Sequence, residues 1–155
     1  MLSFIGCNSL NTKNQLPESK PKDFNFVLNY GVNAKNQLDT AKQQFTKDMI
    51  SEPSITTNLK LTDEEMNAIY SEMRKINILS YPENYDLDSS VSQKPFEEYS
   101  IKISFDGKEK IINWKQTVTK TKEAVQLREL VSKIKKIIVD KEEFKKLPEP
   151  KGGYL

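Results

Sequence analysis

Apolar and polar residues alternate in four stretches of the chain, and this pattern predicts strands that bury one face. The stretches span residues 24–30, 55–61, 99–105 and 108–114. A weaker strand is predicted over residues 37–48, where Leu38 and Phe45 are the only apolar anchors in a polar run.

The last two strands are predicted to form a hairpin, because Asp106 and Gly107 lie between them. A two-residue Asp-Gly loop favours a type I′ turn, in which both central residues have positive φ. Such a turn fixes the register and places four pairs of side chains on one face. The predicted pairs are Phe105 with Lys108, Ile103 with Lys110, Ile101 with Ile112, and Tyr99 with Trp114. We interpret Tyr99 and Trp114 as core, although they would also suit the floor of a ligand pocket.

Two helices are predicted from apolar residues at helical spacing behind capping residues. The first spans residues 63–77 and starts with a Thr62–Glu65 capping box. The second follows Thr121, and its apolar stripe comprises Leu127, Leu130, Val131, Ile134, Ile137 and Ile138. The order β-β-β-α-β-β-α predicts an α+β fold with an antiparallel sheet of about five strands and two helices on one face.

The amino-acid composition excludes most of the common catalytic mechanisms for this chain. The 155 residues include no histidine and one cysteine, so histidine metal sites, His-based nucleophilic catalysis and an internal disulfide are excluded. The five glycines do not follow a phosphate-loop spacing. We therefore expect no cofactor and no metal, and we expect that the protein is not an enzyme.

Two weaker chemical alternatives remain. Adjacent carboxylates at 64–65, 97–98 and 142–143 would suit acid–base catalysis if one had a raised pKa. The second alternative is a calcium site, because several side chains with oxygen atoms follow one another in a spacing that resembles a calcium-binding loop. These side chains are Asn84, Asp86, Asp88, Ser89 and Ser90. The loop lacks the glycine and the final bidentate glutamate of an EF-hand.

Charge is distributed unevenly, although the net charge is only +2. Residues 107–155 contain thirteen basic and seven acidic side chains, and Lys133, Lys135 and Lys136 form a possible interaction patch on the second helix. The alternative hypothesis that follows is a soluble cytosolic protein that binds an anionic polymer through this helix. Nucleic acid is not the expected partner, because 22 of the 24 cations are lysine rather than arginine.

The N-terminal segment carries the most specific motif. A short apolar run ends at Gly6 and Cys7, and a polar stretch rich in Asn, Ser, Lys and Pro continues to Lys22. This arrangement resembles the lipobox of small uncharacterised lipoproteins of Gram-positive bacteria, with Phe4 where that family usually has leucine. The resemblance implies export, acylation of Cys7 and attachment to the outer face of the cell membrane. The resemblance implies no enzymatic activity. The alternative to lipidation is that Cys7 is a buried or incidental cysteine near the N-terminus.

These observations predict three parts: a signal-peptide remnant at 1–6, a lipidation site and flexible tether at 7–22, and one α+β domain at 23–155. Two acyl chains anchor a protein stably where one does not. The predicted function is therefore that of a membrane-anchored extracytoplasmic binding module. We expect the protein to be a monomer. Its expected partners are membrane lipid, through Cys7, and a protein or small ligand of unknown identity.

Overall fold

A computed structural model describes residues 14–85, 95–116 and 120–154. It confirms the α+β class: six antiparallel strands form one sheet in the order β4-β3-β2-β1-β5-β6. The strands are β1 (Asn25–Tyr30), β2 (Asn36–Asp39), β3 (Gln44–Met49), β4 (Glu52–Asn58), β5 (Glu98–Phe105) and β6 (Lys108–Lys115). The helices are α1 (Asp63–Lys75), α2 (Lys122–Val139) and the short α3 (Glu142–Lys145), with a 3-10 turn at Ile78–Ser80.

The sixth strand arises because the predicted strand over 37–48 is two strands joined by a turn. The Oδ1 atom of Asp39, at the end of β2, accepts a hydrogen bond from the Lys42 amide at 3.0 Å. Gln43 then has a φ of +54°, and the chain returns as β3. Leu38 and Phe45 are cross-strand partners. The prediction of a single strand is therefore wrong.

One face of the sheet packs with the helices into a single hydrophobic core. Phe26, Leu28 and Tyr30 of β1 are buried, while the residues between them are only half-buried. A row of fully buried side chains crosses the sheet at the level of Leu28. Its members are Phe45, Leu38, Leu28, Ile101 and Ile112. Each such side chain contributes roughly 1.5–3 kcal/mol through burial, so this face holds the domain together.

The predicted hairpin is confirmed in every pair of its register. Asp106 and Gly107 both have positive φ, +48° and +69°. Trp114 is buried in the core and its ring stacks on Tyr99 with 5.3 Å between centroids. The aromatic pair is therefore part of the core.

Both predicted helix starts are confirmed. Thr62 and Glu65 form a reciprocal capping box, and the Thr121 side chain accepts a hydrogen bond from the Ala124 amide. One ion pair joins Glu65 at the start of α1 to Lys141 beyond the end of α2, and another joins Glu72 near the end of α1 to Lys133 within α2. The two helices therefore run antiparallel. Burial raises the pKa of Glu65, but hydrogen bonds from Lys141 and Thr62 outweigh it and the net pKa is lowered.

The N-terminal segment packs against the domain, contrary to the prediction of a flexible tether as far as residue 22. Leu16 is only 2% exposed and belongs to the core. Its carbonyl accepts a hydrogen bond from Arg74 Nε at 3.2 Å, and the Pro17 carbonyl accepts one from the Tyr70 hydroxyl. The ordered domain thus includes Leu16, and the rest of the predicted tether, residues 7–13, lies outside the described residues.

Strand β1 separates two ends of the molecule. At its start, the Asp23 carboxylate accepts hydrogen bonds from the amides of Gly107 and Asp106, at 2.9 and 2.8 Å. These bonds hold the pKa of Asp23 below its usual value. We call this end, with Leu16 and the β5–β6 turn, the proximal end. The end at Tyr30 and Gly31 lies about 20 Å away along a six-residue strand and is called the distal end.

We expect Leu16→Ala to lower the free energy of unfolding by about 2–5 kcal/mol, because it leaves a cavity in the core. Gln15→Ala, at the exposed neighbouring position, is the matched control and should leave the free energy of unfolding within about 0.5 kcal/mol of the parent value. Chemical denaturation of both variants measures the difference. Equal stabilities of the two variants would show that the segment does not dock.

Candidate functional site

The predicted site residues are not brought together. Cys7 lies outside the described residues. Lys133 approaches Glu72 of α1 at 4.0 Å, and Lys136 pairs with Asp140 at 2.9 Å. Lys135 lies over the Tyr30 ring, 5.1 Å from its centroid. The three lysines thus point in different directions around α2, so they do not form one continuous basic patch.

The carboxylate pairs have structural partners in each case. Glu65 caps α1, Glu97 accepts a hydrogen bond from the Tyr99 hydroxyl, and Glu142 pairs with Lys145 at 3.4 Å. Of the predicted calcium ligands, the structure describes only Asn84, whose Oδ1 lies 3.5 Å from Asn113 Nδ2. Across the described ranges 14–85, 95–116 and 120–154, no group of acidic or cysteine side chains could hold a metal ion.

A cleft of about 310 Å³ lies at the distal end and is lined in part by Tyr30, Lys47, Lys135, Val139, Phe144 and Tyr154. We call it the distal cleft. Strands β1 and β3 form its floor, and the end of α2, helix α3 and the C-terminal tail form its walls. Its volume and its mixture of aromatic, aliphatic and charged side chains are typical of small-molecule sites.

Two buried charges on β3 help to build the distal cleft. Lys47 and Asp48 are each 7% exposed and lie at a register shift in the β3–β4 ladder. Lys47 Nζ donates to the Pro148 carbonyl at 2.9 Å and lies 4.8 Å from the centroid of the Phe144 ring. Lys47 therefore fastens the C-terminal segment to the sheet, because a buried ammonium requires acceptors.

Asp48 and Asn36 shape the floor of the cleft through backbone contacts. Asp48 Oδ1 accepts from the Ile50 amide at 3.0 Å, and Asn36 Oδ1 accepts from the Asp48 amide at 2.9 Å. Gly31 has a φ of +91°, and a Cβ there would lie 2.6 Å from Asn36 Nδ2. Glycine is thus required at this position by both conformation and space.

The C-terminal tail closes one side of the cleft. The Lys151 carbonyl accepts hydrogen bonds from the amide and the hydroxyl of Ser51, at 3.2 and 2.5 Å. Ile50, in the same turn, has a φ of +63°, which is strained for a β-branched residue. Strained backbone of this kind concentrates at functional sites and persists only where the surrounding structure enforces it.

Tyr154 lines the cleft with a buried hydroxyl that has no hydrogen-bond partner in the described part of the chain. Among the described side chains, its hydroxyl is the buried polar atom without a hydrogen bond. An unsatisfied buried hydroxyl costs about 1–3 kcal/mol, which a ligand with a donor or acceptor would recover. On the floor of the cleft, burial raises the pKa of the Tyr30 hydroxyl above its ordinary value, and the nearby Glu97 charge adds to this rise.

A second cavity, of about 540 Å³, lies at the proximal end and is lined in part by Leu16, Glu18, Arg74, Phe105, Asp106 and Lys108. We call it the proximal cavity. Burial raises the pKa of Tyr70 beside it, with Arg74 lowering that pKa and Asp106 raising it. The docked N-terminal segment, the end of α1 and the β5–β6 turn therefore meet around this cavity.

Sequence reasoning missed both cavities. Lys47 and Asp48 fall in the polar run 37–48, which was predicted to be one strand. The signal available there was that residues 40–43 contain no large apolar side chain, which is compatible with a turn. The tail contributes Pro148, Pro150 and two glycines, which end regular structure but do not indicate where the segment docks.

No family model, no curated protein and no solved structure matches this chain. Among the residues that the structure describes, no helix is long and apolar enough to span a bilayer.

Proposed function

We propose that the protein is a lipoprotein anchored through Cys7 on the outer face of the cell membrane, and that its domain is a non-enzymatic binding module. The distal cleft is the ligand site of this module. The motif of an apolar run, Gly6 and Cys7 followed by polar residues supports the anchor. The observation that carries the binding role is the partnerless Tyr154 hydroxyl in the wall of the distal cleft.

The positions of the proximal and distal ends support a proposal in which one end lies near the lipid anchor and the other end carries the ligand site. Leu16 is docked at the proximal end, and eight residues lie between it and Cys7, a span of at most about 30 Å. The distal cleft opens at the other end of β1. An acylated Cys7 would keep the proximal end near the bilayer and leave the distal cleft facing the surroundings.

The lining of the distal cleft favours a small amphiphilic ligand with an anionic or hydrogen-bonding group. Val139, Phe144 and the Tyr30 ring supply apolar contact, and Lys135 supplies positive charge beside them. The charge of Lys47 is already used to hold the tail, so Lys135 and the Tyr154 hydroxyl are the polar groups best able to contact a ligand.

We expect native protein from its source to carry acyl chains on Cys7 and to sediment with membranes. Cys7→Ser should move it to the soluble fraction with an unchanged thermal midpoint, because Cys7 precedes the docked segment. Fractionation and intact-mass spectrometry measure both effects. A native protein with a free thiol and residues 1–6 still attached would contradict the anchor.

Binding of a small ligand in the distal cleft can be measured with 8-anilinonaphthalene-1-sulfonate, an aromatic anion whose fluorescence increases in apolar sites. We expect saturable binding to the native chain, weakened about tenfold or more by Val139→Trp, which fills the cleft. Ser132→Trp places the same ring on exposed α2 surface two turns earlier and should bind as the native chain does. Equal binding by both variants would reject the cleft as the site.

A further inference from the structure

The proximal cavity is lined by four charged side chains. Arg74 and Lys108 are its cations, and Glu18 and Asp106 are its carboxylates. Within the described part of the chain, none of these four side chains forms an ion pair with another charged group. Glu18, Asp106 and Lys108 are exposed. In the distal cleft, by contrast, Lys47, Lys135 and Glu97 all contact protein groups.

Arg74 is held in place while most of its donors stay available. Its Nε–H donates to the Leu16 carbonyl at 3.2 Å, which fixes the guanidinium beside the docked segment. The four N–H groups on its terminal nitrogens have no acceptor among the residues that the structure describes. A fixed guanidinium with free terminal donors is suited to bind a phosphate through two hydrogen bonds.

The two carboxylates beside these cations restrict the choice of ligand. A simple anion would be attracted by Arg74 and Lys108 and repelled by Glu18 and Asp106. A group with a phosphate and a primary ammonium two carbons apart would satisfy both signs at once, because carboxylates accept hydrogen bonds from an ammonium. The ethanolamine phosphate headgroup of a phospholipid has this chemistry.

The chain outside the structure indicates why this ligand would be within reach. The segment from Cys7 to Leu16 spans at most about 30 Å and arrives at the rim of the proximal cavity. We propose that the proximal cavity binds the headgroup of phosphatidylethanolamine in the membrane to which Cys7 is anchored. The orientation in this inference rests on the proposed function, but the binding chemistry does not require acylation.

The experiment uses the full chain with Cys7→Ser and vesicles of phosphatidylcholine alone, or with phosphatidylethanolamine or phosphatidylglycerol added. We expect binding about tenfold tighter to the ethanolamine vesicles than to either other type. Lys108→Gln and Glu18→Gln should each remove most of this preference, and soluble glycerophosphoethanolamine should compete. Lys146→Gln, an exposed lysine outside the cavity, is the control and should bind as the parent does.

Three results would overturn the inference. Equal binding to all vesicles would show that no headgroup is recognised. Tighter binding to phosphatidylglycerol would indicate general attraction of lysines to an anionic surface. An ethanolamine preference retained in both Lys108→Gln and Glu18→Gln would place the site elsewhere. Because every protein in this assay lacks Cys7, a failure of the lipid anchor would leave the result unchanged, so the two proposals fail separately.

Discussion

The docking of the N-terminal segment at the start of β1 is the contact on which the arrangement of the molecule depends. Leu16 enters the core, Tyr70 and Arg74 bind the carbonyls of Pro17 and Leu16, and the Asp23 carboxylate receives both amides of the β5–β6 turn. These contacts come from three separate parts of the chain. They assign one end of the sheet to the N-terminus and leave the other end for the distal cleft.

The two cavities differ in how their charges are used. In the distal cleft, a buried lysine binds the C-terminal segment and a buried aspartate supports a turn, so these charges are part of the fold. Removing either partner would leave the other polar group unsatisfied in the interior. In the proximal cavity, Arg74 holds the docked segment, but Glu18, Asp106 and Lys108 are exposed and form no ion pair with a described residue. Loss of these three charges should alter binding more than stability. This difference guides which substitutions report on function.

Local patterns allowed much of the fold to be predicted. The hairpin register, the Thr62 capping box and the apolar stripes depend on residues close in sequence, whose backbone preferences act over a few positions. The turn at 40–43 was missed because Leu38 and Phe45 are the only large apolar residues of the run 37–48, too few to define two strands. The docking of Leu16 and of the tail at Pro148 depends on partners 58 and 101 residues away, which no local pattern indicates.

We propose that the proximal end of the anchored protein faces the membrane and that the distal end faces away from it. A fluorophore on Lys22→Cys or on Lys35→Cys, two exposed sites at opposite ends of β1, can be attached to the lipid-anchored protein. Quenching by nitroxide-labelled phospholipid then reports the distance of each site from the bilayer. Strong quenching at position 22 with weak quenching at position 35 is the predicted result. Equal quenching at the two positions, or the reverse order, would contradict the account.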